Sequence, residues 1–488
     1  MLARAAVLLT IIGLLAWQYA GVPAEAECTG TVRDAQGPVA GASVRYKGTS
    51  QEAVTNAAGR FRLPRLPGRQ RVTATKDGYF IAGEDAAATP LVLTLQPLPT
   101  HDCDRYAWVD PSPDPSKPLQ CGNCHQAIHD EWLQSRHASS GRNPRFLKQY
   151  EQMLTEHPLG ADVCASCHAP TLPPGGFGEF DMREAAKQPP GLSGIHCDYC
   201  HKVQGPGTGE FGLTHGRYQL SLLRPDMEND HRQHFFGSLP DVDRGDDIFS
   251  RFQRDSKLCA ACHEGVVFGV PVYTTFSEWQ ASPAGKSGQS CQACHMAPTG
   301  KMTNIAPGHG GIRRAPETLG NHRMFDRDPI GMLRGCLNLK VSATAGKDEV
   351  QVKVSLTADD VGHAVPTGFI DRHLVLFIEG YAGDRARTAY HGPTLPNEFR
   401  DGEAGRSGRS YARFLADGDG RRPARFWQAD PATLVDSRLR PGVTDRLTFG
   451  FPPDVDRVRV RLVDRRSWQE RDETVVFDRR IDLRVPSP

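Results

Sequence analysis

Cys121-Gly122-Asn123-Cys124-His125, followed closely by Glu131-Trp132-Leu133-Gln134-Ser135-Arg136-His137, is the stretch on which the reading of this chain turns. The pattern Cys-x-x-Cys-His returns at Cys164-Ala-Ser-Cys167-His168, Cys197-Asp-Tyr-Cys200-His201, Cys259-Ala-Ala-Cys262-His263 and Cys291-Gln-Ala-Cys294-His295, and so uses ten of the 13 cysteines. With 13 cysteines and 18 histidines in 488 residues, random placement gives only about 0.013 copies of this c-type haem attachment motif. Its spacing has a chemical reason. Two thiols add across the two vinyl groups of one porphyrin, two intervening residues close one helical turn between them, and the adjacent histidine swings under the ring as an axial ligand. Zinc and redox dithiols also use Cys-x-x-Cys pairs, but neither requires a histidine directly after every second cysteine. The cofactor expected is therefore five covalent haem c groups with their iron. Cys121, Cys124, Cys164, Cys167, Cys197, Cys200, Cys259, Cys262, Cys291 and Cys294 would be the attachment points, and His125, His168, His201, His263 and His295 the proximal ligands.

Composition agrees. A chain of 488 residues at 39% hydrophobic and 24% charged, with mean hydropathy of −0.46, is neither a polytopic membrane protein nor disordered. A net charge of +1 offers no basic surface for nucleic acid. Residues 1–26 read as a signal peptide: Arg4, the apolar run Ala5 to Trp17, then Ala24-Glu25-Ala26 as a small-x-small cleavage site. An uncleaved anchor over Leu2 to Tyr19 is the alternative, with no other membrane span. Either outcome places the folded part outside the cytoplasm, in the periplasm or the extracellular space. Cys28, Cys103 and Cys336 are left over. A disulfide between the first two would suit an oxidising compartment, and the pairing stays open.

The expected fold class is multidomain: an N-terminal β-sandwich, a central haem-organised domain that is mainly α or irregular, and a C-terminal β-sandwich. Residues 27–100 contain short alternating runs (Thr31–Arg33, Ala42–Tyr46, Gly59–Leu63, Arg71–Thr75, Leu91–Leu95) separated by turn signals, as in a small antiparallel sandwich. Gly30 to Asp34, Gly37 to Val44, Thr55 to Leu63 and Lys76-Asp-Gly-Tyr79 make this segment similar to the carboxypeptidase regulatory-like domain, which implies a docking or spacer module. Residues 101–335 form the haem domain, opening with an Asp- and Pro-rich stretch over 101–119 that reads as a linker. Residues 336–488 alternate again at Leu337–Ala343, Val350–Leu356, Leu374–Ile378, Arg446–Phe451 and Arg457–Val463, with a polar, Gly-rich loop expected near 402–422.

Each iron has a second axial position. His137 lies 12 residues after His125, about 18 Å along a continuous helix, so it can serve only another haem. His129 is one turn from His125 and reads as a surface or propionate contact. His196 adjoins Cys197 and cannot reach the far face of that haem. His363 opens a turn between two strands, from which it could lean onto a haem. His215, His231 and His234 fall between motifs three and four, and one or two of them are expected to bind iron. Glu278-Trp-Gln-Ala-Ser-Pro-Ala284 echoes Glu131 to His137 but has alanine in the place of His137, a hint of an open iron.

Segment 121–335 resembles the multihaem cytochrome c family that includes the tetrahaem electron carrier serving hydroxylamine oxidoreductase. The carrying stretches are Cys121 to Ala138, Gly194 to Val203, Ser256 to His263, Tyr273 to Ser282, Cys291 to Met296 and Asn321-His322. The resemblance implies that His137 serves a distant haem and that His322 is a further ligand. Val361-Gly-His-Ala-Val-Pro-Thr-Gly368 resembles a loop recurrent after such modules, which adds His363. Two axial histidines leave iron low-spin and closed. The function expected is electron transfer between exported redox proteins through closely packed, mostly bis-His haems. The alternative is an oxidoreductase with one open haem acting on a small nitrogen or sulfur compound. No Cys-x-x-Cys-Lys variant occurs, so the lysine-ligated haem of pentahaem nitrite reductases has no counterpart.

Overall fold

The computed structural model describes residues 27–68, 70–87, 90–158, 162–172, 181–210, 212–229, 232–324, 329–399, 402–470 and 472–483; the segment read as a signal peptide and His231 lie outside them. Strand Glu27–Asp34 alternates as its sequence does, turning Cys28, Gly30 and Val32 inward. It pairs antiparallel with Arg60–Pro64 and parallel with Leu91–Thr94. A second sheet runs in the order Glu52–Val54, Ser43–Tyr46, Arg71–Thr75, Ala82–Asp85. One apolar cluster, including Cys28, Val44, Tyr46, Phe61, Leu63, Val72 and Leu93, fills the module. The parallel pair departs from the all-antiparallel expectation. The chain reaches Leu91 from the other sheet, so it enters beside Glu27–Asp34 in the same direction. Gly30 permits this, since a Cβ there would sit 2.5 Å from the Leu91 carbonyl oxygen.

This module is fused to the haem segment rather than tethered to it. The buried carboxylate of Asp243 takes Lys47 Nζ and Arg71 Nε, each at 2.5 Å. Asp241 accepts from the Gly48 amide at 2.6 Å and pairs with Arg314 at 2.8 Å. Phe80 joins Leu223, Phe236 and Ile248 in an apolar cluster across the junction. The stretch 101–119 is likewise a strap and not a free linker: Tyr106 donates to Asp198 and is hydrogen-bonded to Gln233, and Trp108 packs against Tyr199. Two aromatic side chains outweigh the Asp and Pro content around them.

The haem segment is built from short helices joined by irregular chain, the longest helix among the described residues being Pro144–Glu156. Helix Pro329–Cys336 leads directly into the C-terminal strands. There Leu337–Ala345, Val350–Ala358 and Thr444–Phe451 form one sheet. Arg385–Arg387, His373–Ala382, Arg457–Arg465 and Glu473–Asp482 form another, joined by Gly408–Tyr411. Val352, Val354, Leu376, Ile378, Phe449 and Leu462 belong to their common core. The stretch expected to be a loop near 402–422 thus contains strands Gly408–Tyr411 and Arg413–Asp417. Gly408 is a close-approach residue there, because a Cβ would meet the Leu376 carbonyl oxygen at 2.2 Å. Cys28, Cys103 and Cys336 are free thiols, Cys28 being sealed in the N-terminal core.

Candidate haem centres

Each Cys-x-x-Cys-His copy sits on or beside a short helix: Cys121–Asn123, Asp162–His168, Cys197–Cys200, Lys257–His263 and Cys291–His295. Local caps hold these helices. His196 Nδ1 accepts the Tyr199 amide and Ser290 Oγ accepts the Ala293 amide. Ser256, before motif four, accepts the amide of Cys291 at 3.0 Å and so ties motif four to motif five.

The motifs adjoin one another in an order the chain does not follow. The thiol of Cys121 meets that of Cys197, Cys167 meets Cys262, and Cys259 meets Cys291. Cys200 lies close to Cys259 and Cys262. Motif one therefore adjoins three, three adjoins four, and two and five both adjoin four. The histidines agree: around His263 stand His137, His295, His363 and His168. A cavity of about 940 Å³ opens along motifs two, four and five, walled by Phe146, Tyr150, Tyr273, Phe276 and Trp427 among others.

Burial makes the imidazoles neutral. Desolvation pushes His137, His168, His295 and His322 down to about 4 and His263 to about 3, with the surrounding histidines adding to the fall. Neutral imidazole is the form that binds iron, and a partner on Nδ1 leaves Nε2 as the ligand. His125 Nδ1 donates to the Ile305 carbonyl at 2.8 Å and His201 Nδ1 to that of Phe236 at 2.7 Å. His168 Nδ1 lies 3.4 Å from the Ser140 carbonyl. Phe236 itself packs in the apolar cluster with Phe80, so the N-terminal module buttresses the residue whose carbonyl orients His201.

Two ring pairs test the fit to haem. His137 faces His263 with ring centroids 6.2 Å apart and planes at 67°. His295 faces His363 at 6.2 Å and 7°. An imidazole nitrogen binds a first-row metal at about 2 Å and lies roughly 1.1 Å from its ring centre, so two rings on opposite sides of one metal stand about 6 Å apart. Both separations match. Among the described residues no group of three or more His, Cys, Asp or Glu side chains is arranged to hold a bare metal ion, as a zinc site would need.

Of the other residues singled out in the sequence, His322 is buried near His201 and His125. Its amide is held by Glu131 at 2.9 Å, and its ring lies beside the Gly320 carbonyl. His234 is buried beside Phe80, with Nδ1 3.1 Å from the Leu223 carbonyl. His215 turns toward the backbone just past motif four, with Nε2 3.1 Å from the Val266 carbonyl. His129, which reads in the sequence as a surface or propionate contact, is only 5% exposed. Its Nε2 is buried and lacks a partner among the described groups, so it joins the residues able to hold iron. Its spacing from Trp132 was the available signal.

The internal echo is structural. Trp132 Nε1 donates to the Ile195 carbonyl, two residues before Cys197, and Trp279 Nε1 to the Gln289 carbonyl, two residues before Cys291. In the first copy the Ile195 amide also binds the His137 carbonyl. In the second copy Ala284 lies 3.5 Å from where a Cβ on Gly362 would stand. The place of the missing histidine is thus bordered by Gly362-His363 from the C-terminal domain. Glu278 secures that loop: it accepts from the Ala364 amide at 3.1 Å and pairs with buried Arg438 at 2.5 Å.

The comparisons place these modules. Residues 28–89 match the carboxypeptidase regulatory-like domain, and residues 120–202 match the cytochrome c554 and c-prime family. The central match supports haem c, its iron, a haem-based role in electron transfer and redox partners for this segment. Among solved structures the chain is similar to a penta-heme cytochrome c552 from Thermochromatium tepidum. Identity is 22%, 74% of this chain and 97% of that chain are covered, and the TM-score is 0.51, a likeness of fold. No curated protein matches the chain. Among the described residues, no helix is long and apolar enough to cross a membrane.

Proposed function

We propose that the chain is an exported pentahaem c-type cytochrome, of the periplasm or the extracellular space, that transfers electrons between redox proteins through mostly bis-His haems. The observation that carries this reading is the pair of imidazole couples, His137 with His263 and His295 with His363, each at the separation one metal requires. Bound haem supplies a one-electron iron couple. The protein's part is positional. Ten thiols fix five porphyrins, neutral imidazoles close the axial positions, and carbonyls of Ile305 and Phe236 hold two of those imidazoles in one tautomer. His322 and His129 are assigned to the first and third motifs, near which His322 is buried, with His234 and His215 as further candidate ligands. Motif four, adjoining three others, is the junction of the array.

One observation favours a second reading at motif two. The cavity wall beside Cys164, Cys167 and His168 also offers Gln149, Tyr150 and Tyr273. That composition suits an open iron acting on a small nitrogen or sulfur compound. Electron paramagnetic resonance of the ferric protein, with and without cyanide or hydroxylamine, decides between them. Electron transfer alone gives low-spin iron indifferent to both; an open site gives a high-spin signal that both abolish.

A further inference from the structure

Met324 touches axial histidines of two motifs at once. Its thioether sulfur lies against Nδ1 of His137, and its backbone carbonyl lies beside the imidazole of His295. The residue is held at φ 54°, a left-handed conformation that residues other than glycine seldom adopt, so the fold imposes this placement. The contrast with other motifs is chemical. His125 and His201 donate Nδ1–H to carbonyl oxygens at 2.8 and 2.7 Å, whereas His137 meets a thioether, a weak acceptor. A strong acceptor on Nδ1 makes an imidazole a better donor to iron and favours the ferric state; a weak one does less of this.

We propose that Met324 is a positioning residue which, through its weak hold on His137, sets the iron of motif four at a higher reduction potential than irons whose histidines donate to carbonyls. This rests on His137 and His263 being the axial pair of one iron. Because motif four adjoins motifs two, three and five, the junction of the array is then among the first to be reduced.

The test compares full-length holoprotein with its M324L and M324Q variants by redox titration followed by electron paramagnetic resonance. The tilted pair at 67° gives a more anisotropic low-spin signal than the parallel pair at 7°, which identifies the iron. M324Q, with a carbonyl acceptor, should shift that iron's reduction equilibrium toward ferric about tenfold, or ~59 mV for one electron. M324L, with similar bulk and no acceptor, should leave it at or above the wild-type value. An unchanged potential in M324Q, or an equal fall in both variants as a packing role would give, overturns the proposal. A sulfur-to-iron charge-transfer band in the wild type, lost in both variants, also overturns it by making Met324 the ligand. Five haems without any strongly anisotropic low-spin signal would instead defeat the axial pairing beneath it.

Discussion

Replacing Glu278 by alanine should free an iron from a ligand that another domain supplies. Its carboxylate accepts the Ala364 amide at 3.1 Å and the Thr367 hydroxyl at 3.4 Å, and pairs with Arg438 at 2.5 Å, the two side chains being 8% and 3% exposed. Breaking a buried pair from one side costs about 3–5 kcal/mol. Arg438 keeps Asp436 at 2.7 Å, which points to the lower end, about 3 kcal/mol. Felt by the loop that presents His363, such a loss raises the detached population about 10²-fold. The assay is paired: urea unfolding of the holoprotein, and resonance spectra of its ferric form. E278A should unfold earlier and gain high-spin signal equal to a fraction of one haem, while E278Q, which keeps an acceptor for Ala364, should gain less. Earlier unfolding with no high-spin gain would refute the link from Glu278 to His363.

H363A should convert one haem of the set to high-spin, and added imidazole should restore it; a spectrum identical to wild type would remove His363 from the ligands. Burial raises Asp371 from 3.8 to about 7. Between about pH 4 and 7 the folded protein therefore holds a proton the unfolded chain has released, and stability falls with rising pH by at most ~1.4 kcal/mol per unit before levelling. D371N should flatten that window when urea midpoints are compared at pH 5 and pH 8, and parallel profiles would contradict it. D243A strands Lys47 and partly Arg71 at the N-terminal junction, at a cost of about 3 kcal/mol. Limited proteolysis should then cut sooner near residue 100, and unchanged cleavage would mean the module is held otherwise.

Strands were legible where one face is buried. The alternation at Val350–Leu356 and Arg457–Val463 lies within the observed strands Val350–Ala358 and Arg457–Arg465. The strands near 402–422 were hidden because glycine, a turn signal in isolation, there admits a neighbouring carbonyl. The attachment motifs were legible because their chemistry is local to five residues. Pairing between histidines was not, since it depends on which turns fold against each other. His129 was judged only against its own motif, and burial beside Trp132 changes its standing. Ala284 read as a ligand lost, yet Gly362-His363 borders that position from far along the chain. Met324 belongs to no motif, and only tertiary contact brings it between His137 and His295.

The central claim is that five thiol pairs carry five porphyrins. Intact-mass analysis of protein matured with haem-ligation machinery, paired with pyridine haemochrome quantification, counts them directly. Five covalent haems per chain are expected, surviving acid extraction; a colourless chain, a zinc-loaded one, or a count below five would contradict the account.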